Sequence, residues 1–158
     1  MREADFLRKV AEQGKISLVE PSKIISLAYE KKSESNIVSA KILLESGHFE
    51  ESVSLSYFSM YNILNALLFS TGIKCENHTI AIMLLKKVYS MDNSKMLLAK
   101  KERIEAQYYV ESSATVEKAL AMIRLTEDFR AALIDTIERQ DSGKIAKQRE
   151  KAEELIKI

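Results

Sequence analysis

Residues 40–68 read AKILLESGHFEESVSLSYFSMYNILNALL, two apolar helical patterns joined by a short turn at Gly47. In the second pattern, from Phe49 to Ser70, apolar side chains recur at three- and four-residue spacing, which is typical of an α-helix. More than half of its circumference is apolar, so this helix needs cover on two sides. We therefore predict a central helix in a bundle, and we take its second apolar face as support for a homodimer. One face carries Val53, Tyr57, Met60, Tyr61, Leu64, Leu67 and Leu68, and the other carries Leu55, Phe58, Ile63, Ala66 and Phe69.

The rest of the chain shows the same helical periodicity, and alternation typical of strands is scarce. The 158 residues include only four Gly and one Pro, which favours long helices over turn-rich β structure. We predict an all-α fold, an antiparallel up-and-down bundle of four to five helices. The predicted single domain covers residues 1–143, with a short helix at 3–12 and a core bundle at about 22–139. Residues 144–158 form a charged helical extension that is either solvated or packed on a partner.

Composition narrows the cellular setting and the class of partner. The formal net charge is +1, so nucleic acid or an anionic membrane would have to bind a local patch. Cys75 is the single cysteine, which excludes an intramolecular disulfide and fits a reducing cytosol. No apolar run approaches the roughly 18 residues that span a bilayer. The N-terminal residues do not resemble a signal peptide. We predict a cytoplasmic protein without a membrane partner.

Several kinds of enzyme lack their sequence signatures here. The chain has no Gly-rich phosphate loop, no Gly-x-Ser-x-Gly elbow and no His-Glu-x-x-His helix. The paired Glu-x-x-His helices of di-metal bundles are missing too. A thiol nucleophile at Cys75 is disfavoured because the neighbouring Glu76 would raise the thiol pKa. We predict neither a metal site nor a cofactor.

One basic strip stands out, and it ends at Arg103. Residues 84–103 contain six Lys or Arg against two acidic side chains. Tyr108 and Tyr109 follow one turn after Arg103, and basic side chains beside stacking aromatics suit RNA. The alternative interpretation is a solvated helix face, on which Arg103 lies along the surface.

The stretch at 40–68 also resembles a known family. Tyr57-Phe58-Ser59-Met60-Tyr61 follows a helix ending in Leu-Leu and a Gly-containing turn. Ala66-Leu67-Leu68, then Gly72 and His78, continue in the order found in HEPN-domain proteins, which are small prokaryotic helical bundles. The resemblance spans roughly residues 35–138.

The resemblance implies a homodimer that cuts RNA without metal. The signature of active family members is an Arg, then four to six residues, then a His. In the expected reaction a ribose 2′-OH attacks the adjacent phosphate, the His serves as base or acid, and the Arg stabilises the phosphorane charge. Arg103 matches the arginine, and Tyr108 stands where the histidine would be, as in a Tyr-bearing branch of the family. A Tyr pKa of about 10 against about 6.5 for His disfavours the tyrosine anion by ~4.8 kcal/mol, which weakens the prediction of cleavage.

The remaining predictions combine this resemblance with the basic strip and the charged extension. Arg103 and Tyr108 are the candidate catalytic residues, and the candidate RNA- or nucleotide-binding residues are Lys100, Lys101, Tyr109 and His78. Functionally the chain resembles the toxin-type half of a pair with a minimal nucleotidyltransferase, which would be its protein partner. The alternative is a non-catalytic scaffold that holds a protein through the bundle and its charged extension.

Overall fold

The computed structural model describes residues 2–108 and 114–157, and the secondary structure of these residues is almost entirely helical. The mainly helical class is therefore confirmed. The predicted count of four to five helices was too low, and two short strands were not predicted. In the described residues the elements are α1 Glu3–Glu12, β1 Ile16–Leu18, α2 Lys23–Glu45, α3 Phe49–Thr71, β2 Ile73–Cys75, α4 His78–Lys87, α5 Ser94–Tyr108, α6 Val116–Glu138 and α7 Ser142–Lys157.

Local side-chain chemistry sets the helix ends. The side chains of Ser22, Asn77 and Thr115 accept hydrogen bonds from backbone N–H groups three residues later, at the starts of α2, α4 and α6. At the end of α3, Gly72 takes a left-handed conformation with φ 79°. The polar residues 31–36 lie within α2 without interrupting it, because Ser33 and Asn36 hydrogen-bond to α3 and the remaining side chains of this run are exposed.

The α3 helix is the centre of the molecule. Its side chains Met60, Leu64 and Leu67 are fully buried, and α2, α5 and α6 all pack on it. The same chain therefore covers most of both apolar faces of α3, and Leu55, Phe58 and Phe69 on the second face are half-buried. The two-faced pattern needs no second copy to explain it, so it no longer supports a homodimer.

Small residues let α2 and α3 approach closely. Ser26, Ser33 and Ala40 recur every seven residues on α2, opposite Ala66, Ser59 and Ser52 on α3. The hydroxyls of Ser33 and Ser59 each donate to the other residue's carbonyl oxygen at 2.7 Å. These hydrogen bonds satisfy the buried hydroxyls of the interface. Bulky side chains at the same positions would force the two helices apart.

The two strands form a small antiparallel sheet, in which Ile16 pairs with Cys75 and Leu18 with Ile73. Each strand has only three residues, too few for a recognisable alternation of apolar and polar side chains. The sheet fixes the end of α3 and hence the position of His78 at the start of α4.

The charged C-terminal helix packs on its own chain. Ala152 of α7 is fully buried, and α7 contacts α1, β1 and α3. The Arg149 Nη1 donates to the carbonyl oxygens of Val19, Thr71 and Gly72 at 2.7, 3.1 and 3.1 Å. None of the helices in residues 2–108 and 114–157 has the length and hydropathy to cross a bilayer.

Candidate functional site

Arg103 projects from α5 onto two aromatic rings of α3. Its guanidinium carbon lies 5.1 Å from the ring centre of Tyr57 and 5.2 Å from that of Phe58. Its Nε atom is buried and has no hydrogen-bond partner among the described residues. No carboxylate in that part of the chain lies within ion-pair distance of it. Arg103 is therefore a cation held by ring faces rather than by a counter-ion.

His78, the first residue of α4, lies against the same tyrosine. Its Nδ1 is 2.7 Å from the Tyr57 hydroxyl, and its ring stacks on Tyr61 with centroids 3.8 Å apart. Burial lowers the pKa of the imidazole, and the positive charges of Arg103 and Lys100 lower it further. The ring is thus fixed in orientation and is mainly neutral at pH 7.

Tyr57 contacts both Arg103 and His78. It is fully buried in the core, and burial raises its pKa to about 12, although Arg103 acts in the opposite direction. The phenol is therefore protonated at neutral pH. It presents its ring to Arg103 and its hydroxyl to His78, so one core side chain positions two residues that sit on different helices.

Lys100 joins α5 to the start of α4. Its Nζ donates to the Thr79 hydroxyl at 2.7 Å. Its pKa is lowered by burial and then by the charge of Arg103. We name Arg103, Lys100 and His78 the basic cluster, in which the charge of Arg103 lowers the pKa of both Lys100 and His78. A cluster of this kind favours an anionic ligand.

Two other predicted site residues, Tyr108 and Lys101, make none of these contacts. Tyr108 is 67% exposed, and helical geometry rotates it about 140° around α5 from Arg103. Lys101 is exposed and borders a shallow depression with Leu97 and Ile104. Tyr109 lies outside the described residues.

Cys75 has the environment of a structural thiol. It is buried at the end of β2, and burial raises its pKa to about 11, with a smaller contribution from Glu76. The sequence interpretation named Glu76 as the cause of a raised pKa, whereas burial is the larger one. A thiol in this environment is a poor nucleophile.

Two residues of the site were not identified from sequence. Tyr57 and Phe58 were assigned to apolar faces of α3, and their contact with Arg103 depends on how α5 packs on α3. The only signal was their place in the stretch Tyr57-Phe58-Ser59-Met60-Tyr61, which carries part of the family resemblance.

Comparison with known proteins bears on this site. The family model described as the HEPN domain matches residues 28–158, which include α3, α4, α5 and hence the basic cluster. No curated protein matched the chain significantly. The family points in general to RNA-related or nucleotide-binding functions. The match covers most of the chain, and the chain therefore belongs to the HEPN-domain family.

Proposed function

We propose that this protein binds single-stranded RNA and holds one of its phosphates at the basic cluster. The observation that carries this proposal is the arrangement around Tyr57. Arg103 lies over its ring, His78 bonds its hydroxyl, and no carboxylate of the described residues neutralises Arg103. A phosphate supplies the missing negative charge and accepts hydrogen bonds from a guanidinium.

The lowered pKa values of His78 and Lys100 support an anion site. Arg103 contributes to both shifts, and burial contributes more to each. A bound phosphate would raise both pKa values again, because it stabilises the protonated forms. Binding therefore relieves an electrostatic cost that the folded protein carries without a ligand.

We further propose metal-independent cleavage of the bound RNA. Two residues are candidates for the acid–base role. Tyr108 is a candidate because of its place in the sequence motif, and His78 because of its place beside Arg103. We assign the role to His78, because a neutral imidazole accepts a proton far more readily than a phenol. His78 takes the 2′-OH proton as O2′ bonds to phosphorus. The bond from phosphorus to O5′ breaks, O5′ takes a proton from water, and Arg103 stabilises the phosphorane charge.

A homodimer is part of the proposal. Leu97, Ile104 and Tyr108 expose apolar surface at seven- and four-residue spacing on α5, the helix that carries Arg103. A second copy covering this stripe would bring two basic clusters near one groove. Light scattering at tens of micromolar tests this: wild type should have a dimer mass and Ile104→Glu a monomer mass. A monomeric wild type would overturn it.

The toxin-type pairing with a minimal nucleotidyltransferase is proposed on family resemblance alone. Co-expression with such a protein would test it. Recovery of a stable complex that protects RNA from cleavage supports the pairing, and unchanged cleavage without complex formation contradicts it.

The central test incubates purified protein with mixed RNA in the presence of EDTA. Wild type should leave 2′,3′-cyclic phosphate and 5′-hydroxyl ends. Arg103→Met and His78→Gln should each lower the rate by about a hundredfold or more. Tyr108→Phe and the exposed α6 control Arg124→Met should retain it. Circular dichroism of each variant separates loss of the site from loss of the fold.

The outcomes separate the candidates. Cleavage that depends on Tyr108 and not on His78 would return the acid–base role to the sequence motif. Arg103-dependent binding without cleavage would leave a binding protein. Intact RNA and no binding would favour the non-catalytic scaffold.

A further inference from the structure

A cavity of about 390 Å³ opens beside the basic cluster, between α2, α3 and β2, and its lining includes Phe58 and His78. Phe58 is also one of the two rings under Arg103. Cavities of 300–1,000 Å³ are the usual size for small ligands, so a nucleobase fits within it. Anything bound in the cavity would lie next to a phosphate on Arg103.

Two pairs of stacked rings line this cavity. Tyr29 of α2 and Phe69 of α3 stack with centroids 5.3 Å apart and planes inclined by 8°. On the α4 side, Tyr61 stacks with His78. Flat aromatic walls of this kind take up an unpaired base by stacking, which contributes to affinity without requiring base pairing.

Two carboxamides supply hydrogen-bonding groups in the same wall. Asn62 Nδ2 donates to Asn36 Oδ1 at 2.7 Å, and Asn65 Nδ2 donates to the Tyr61 carbonyl at 3.2 Å. Neither carboxamide oxygen of Asn62 or Asn65 accepts a hydrogen bond within the described residues. Unused acceptors favour a base with an exocyclic amine and disfavour a base whose carbonyl oxygen would face them. Adenine is the RNA base that has an amine and no carbonyl.

Two lysines and one glutamate also line the cavity. Lys32 Nζ lies 5.3 Å from the Tyr29 ring centre, and Lys74 pairs with Glu76 at 3.4 Å with both side chains about half exposed. These lysines flank the cavity on the α2 and β2 sides. They are placed to contact the backbone phosphates of a strand that enters the cavity.

We propose that this cavity receives an unstacked adenine of the RNA whose phosphate binds Arg103, an inference that rests on the proposed function. The pocket would make the protein prefer adenine-containing single strands over oligouridine. The aromatic pair Tyr29–Phe69 and the carboxamide of Asn62 determine that preference, whereas Arg103 sets affinity for any strand.

Fluorescence anisotropy with a labelled oligouridine of about ten nucleotides, and with the same strand carrying one central A, C or G, tests this. Wild type should bind the A-containing strand about tenfold more tightly than oligouridine. Tyr29→Leu and Asn62→Leu should remove most of that difference and leave oligouridine binding nearly unchanged. Phe6→Leu, a half-buried aromatic of α1 outside the cavity, is the matched control and should keep the preference.

Failure of the pocket and failure of the RNA site give different results. If wild type binds all four strands with equal affinity and Arg103→Met binds none of them, the adenine pocket is overturned and the RNA site is kept. A preference for A that survives in both Tyr29→Leu and Asn62→Leu would place base recognition elsewhere. Absence of binding by wild type to every strand would overturn both proposals.

Discussion

The hydroxyl of Tyr57 lies 2.7 Å from Nδ1 of His78, and this hydrogen bond ties the buried centre of α3 to the first residue of α4. Tyr57 is fully buried, whereas His78 is half-buried and borders a cavity. A rigid core residue therefore fixes the orientation of a surface imidazole. The same ring supports Arg103, so packing of α3 positions both polar groups of the site.

Replacing Tyr57 with Phe removes that hydrogen bond and keeps the ring under Arg103. We expect a loss of about 1–2 kcal/mol in the free energy of unfolding, because Nδ1 of His78 loses its partner in a partly buried site. Urea denaturation measures it. Tyr108→Phe removes an exposed hydroxyl and should be nearly neutral. An equal loss in both variants would show that the bond contributes little.

Protonation of His78 should make stability depend on pH. Burial, Arg103 and Lys100 lower its pKa in the folded state, and the uncharged Tyr57 and Tyr61 face it from α3. The unfolded chain, with a His pKa of about 6.5, then binds more protons than the folded one. Stability should therefore fall as pH drops through 6.5 towards the lower folded pKa.

Denaturant titrations between about pH 7.5 and pH 5.5 test this dependence. His78→Gln should flatten the slope in that range, and the solvent-exposed His48→Gln should keep it. An unchanged slope in His78→Gln would assign the pH dependence to other groups.

Gly72 and Gly47 form a matched pair for testing backbone strain and close packing. Both have positive φ, at 79° and 80°. A Cβ at Gly72 would collide with the Arg149 guanidinium and the Val19 carbonyl, whereas one at Gly47 would meet no atom within 4 Å. Gly47→Ala should cost about 1–2 kcal/mol, and Gly72→Ala about 3 kcal/mol or more. Similar melting temperatures for the two variants would refute the close packing around Gly72.

Ser33 and Ser35 test the small-residue contact between α2 and α3. Ser33 is fully buried, donates to the Ser59 carbonyl and accepts a hydrogen bond from Arg130 at 2.8 Å. Ser33→Leu should destabilise the protein by about 3 kcal/mol or more, through overpacking and loss of these bonds. Ser35→Leu, on the exposed side of α2, should change stability by less than about 0.5 kcal/mol. Thermal unfolding of both variants decides whether the interface has this tight geometry.

Local patterns located the central helix and the short N-terminal helix, which the structure has as Phe49–Thr71 and Glu3–Glu12. The three- and four-residue spacing of apolar side chains acts within one or two turns, so it can be read directly from the chain. The strands β1 and β2 could not be found in this way, because each has only three residues. Their pairing also joins Ile16 to Cys75, which are 59 positions apart in the chain.

The sequence by itself determined a helical bundle, its family resemblance and Arg103 as the residue to examine. Only the tertiary structure decided which groups surround Arg103. The packing of α5 and α4 on α3 places Tyr57 between Arg103 and His78, which are 25 positions apart in the chain. The physical reason is that helix periodicity reports which side of a helix is apolar, whereas the helix that covers this side depends on side-chain volumes and on hydrogen bonds such as Ser33 to Ser59.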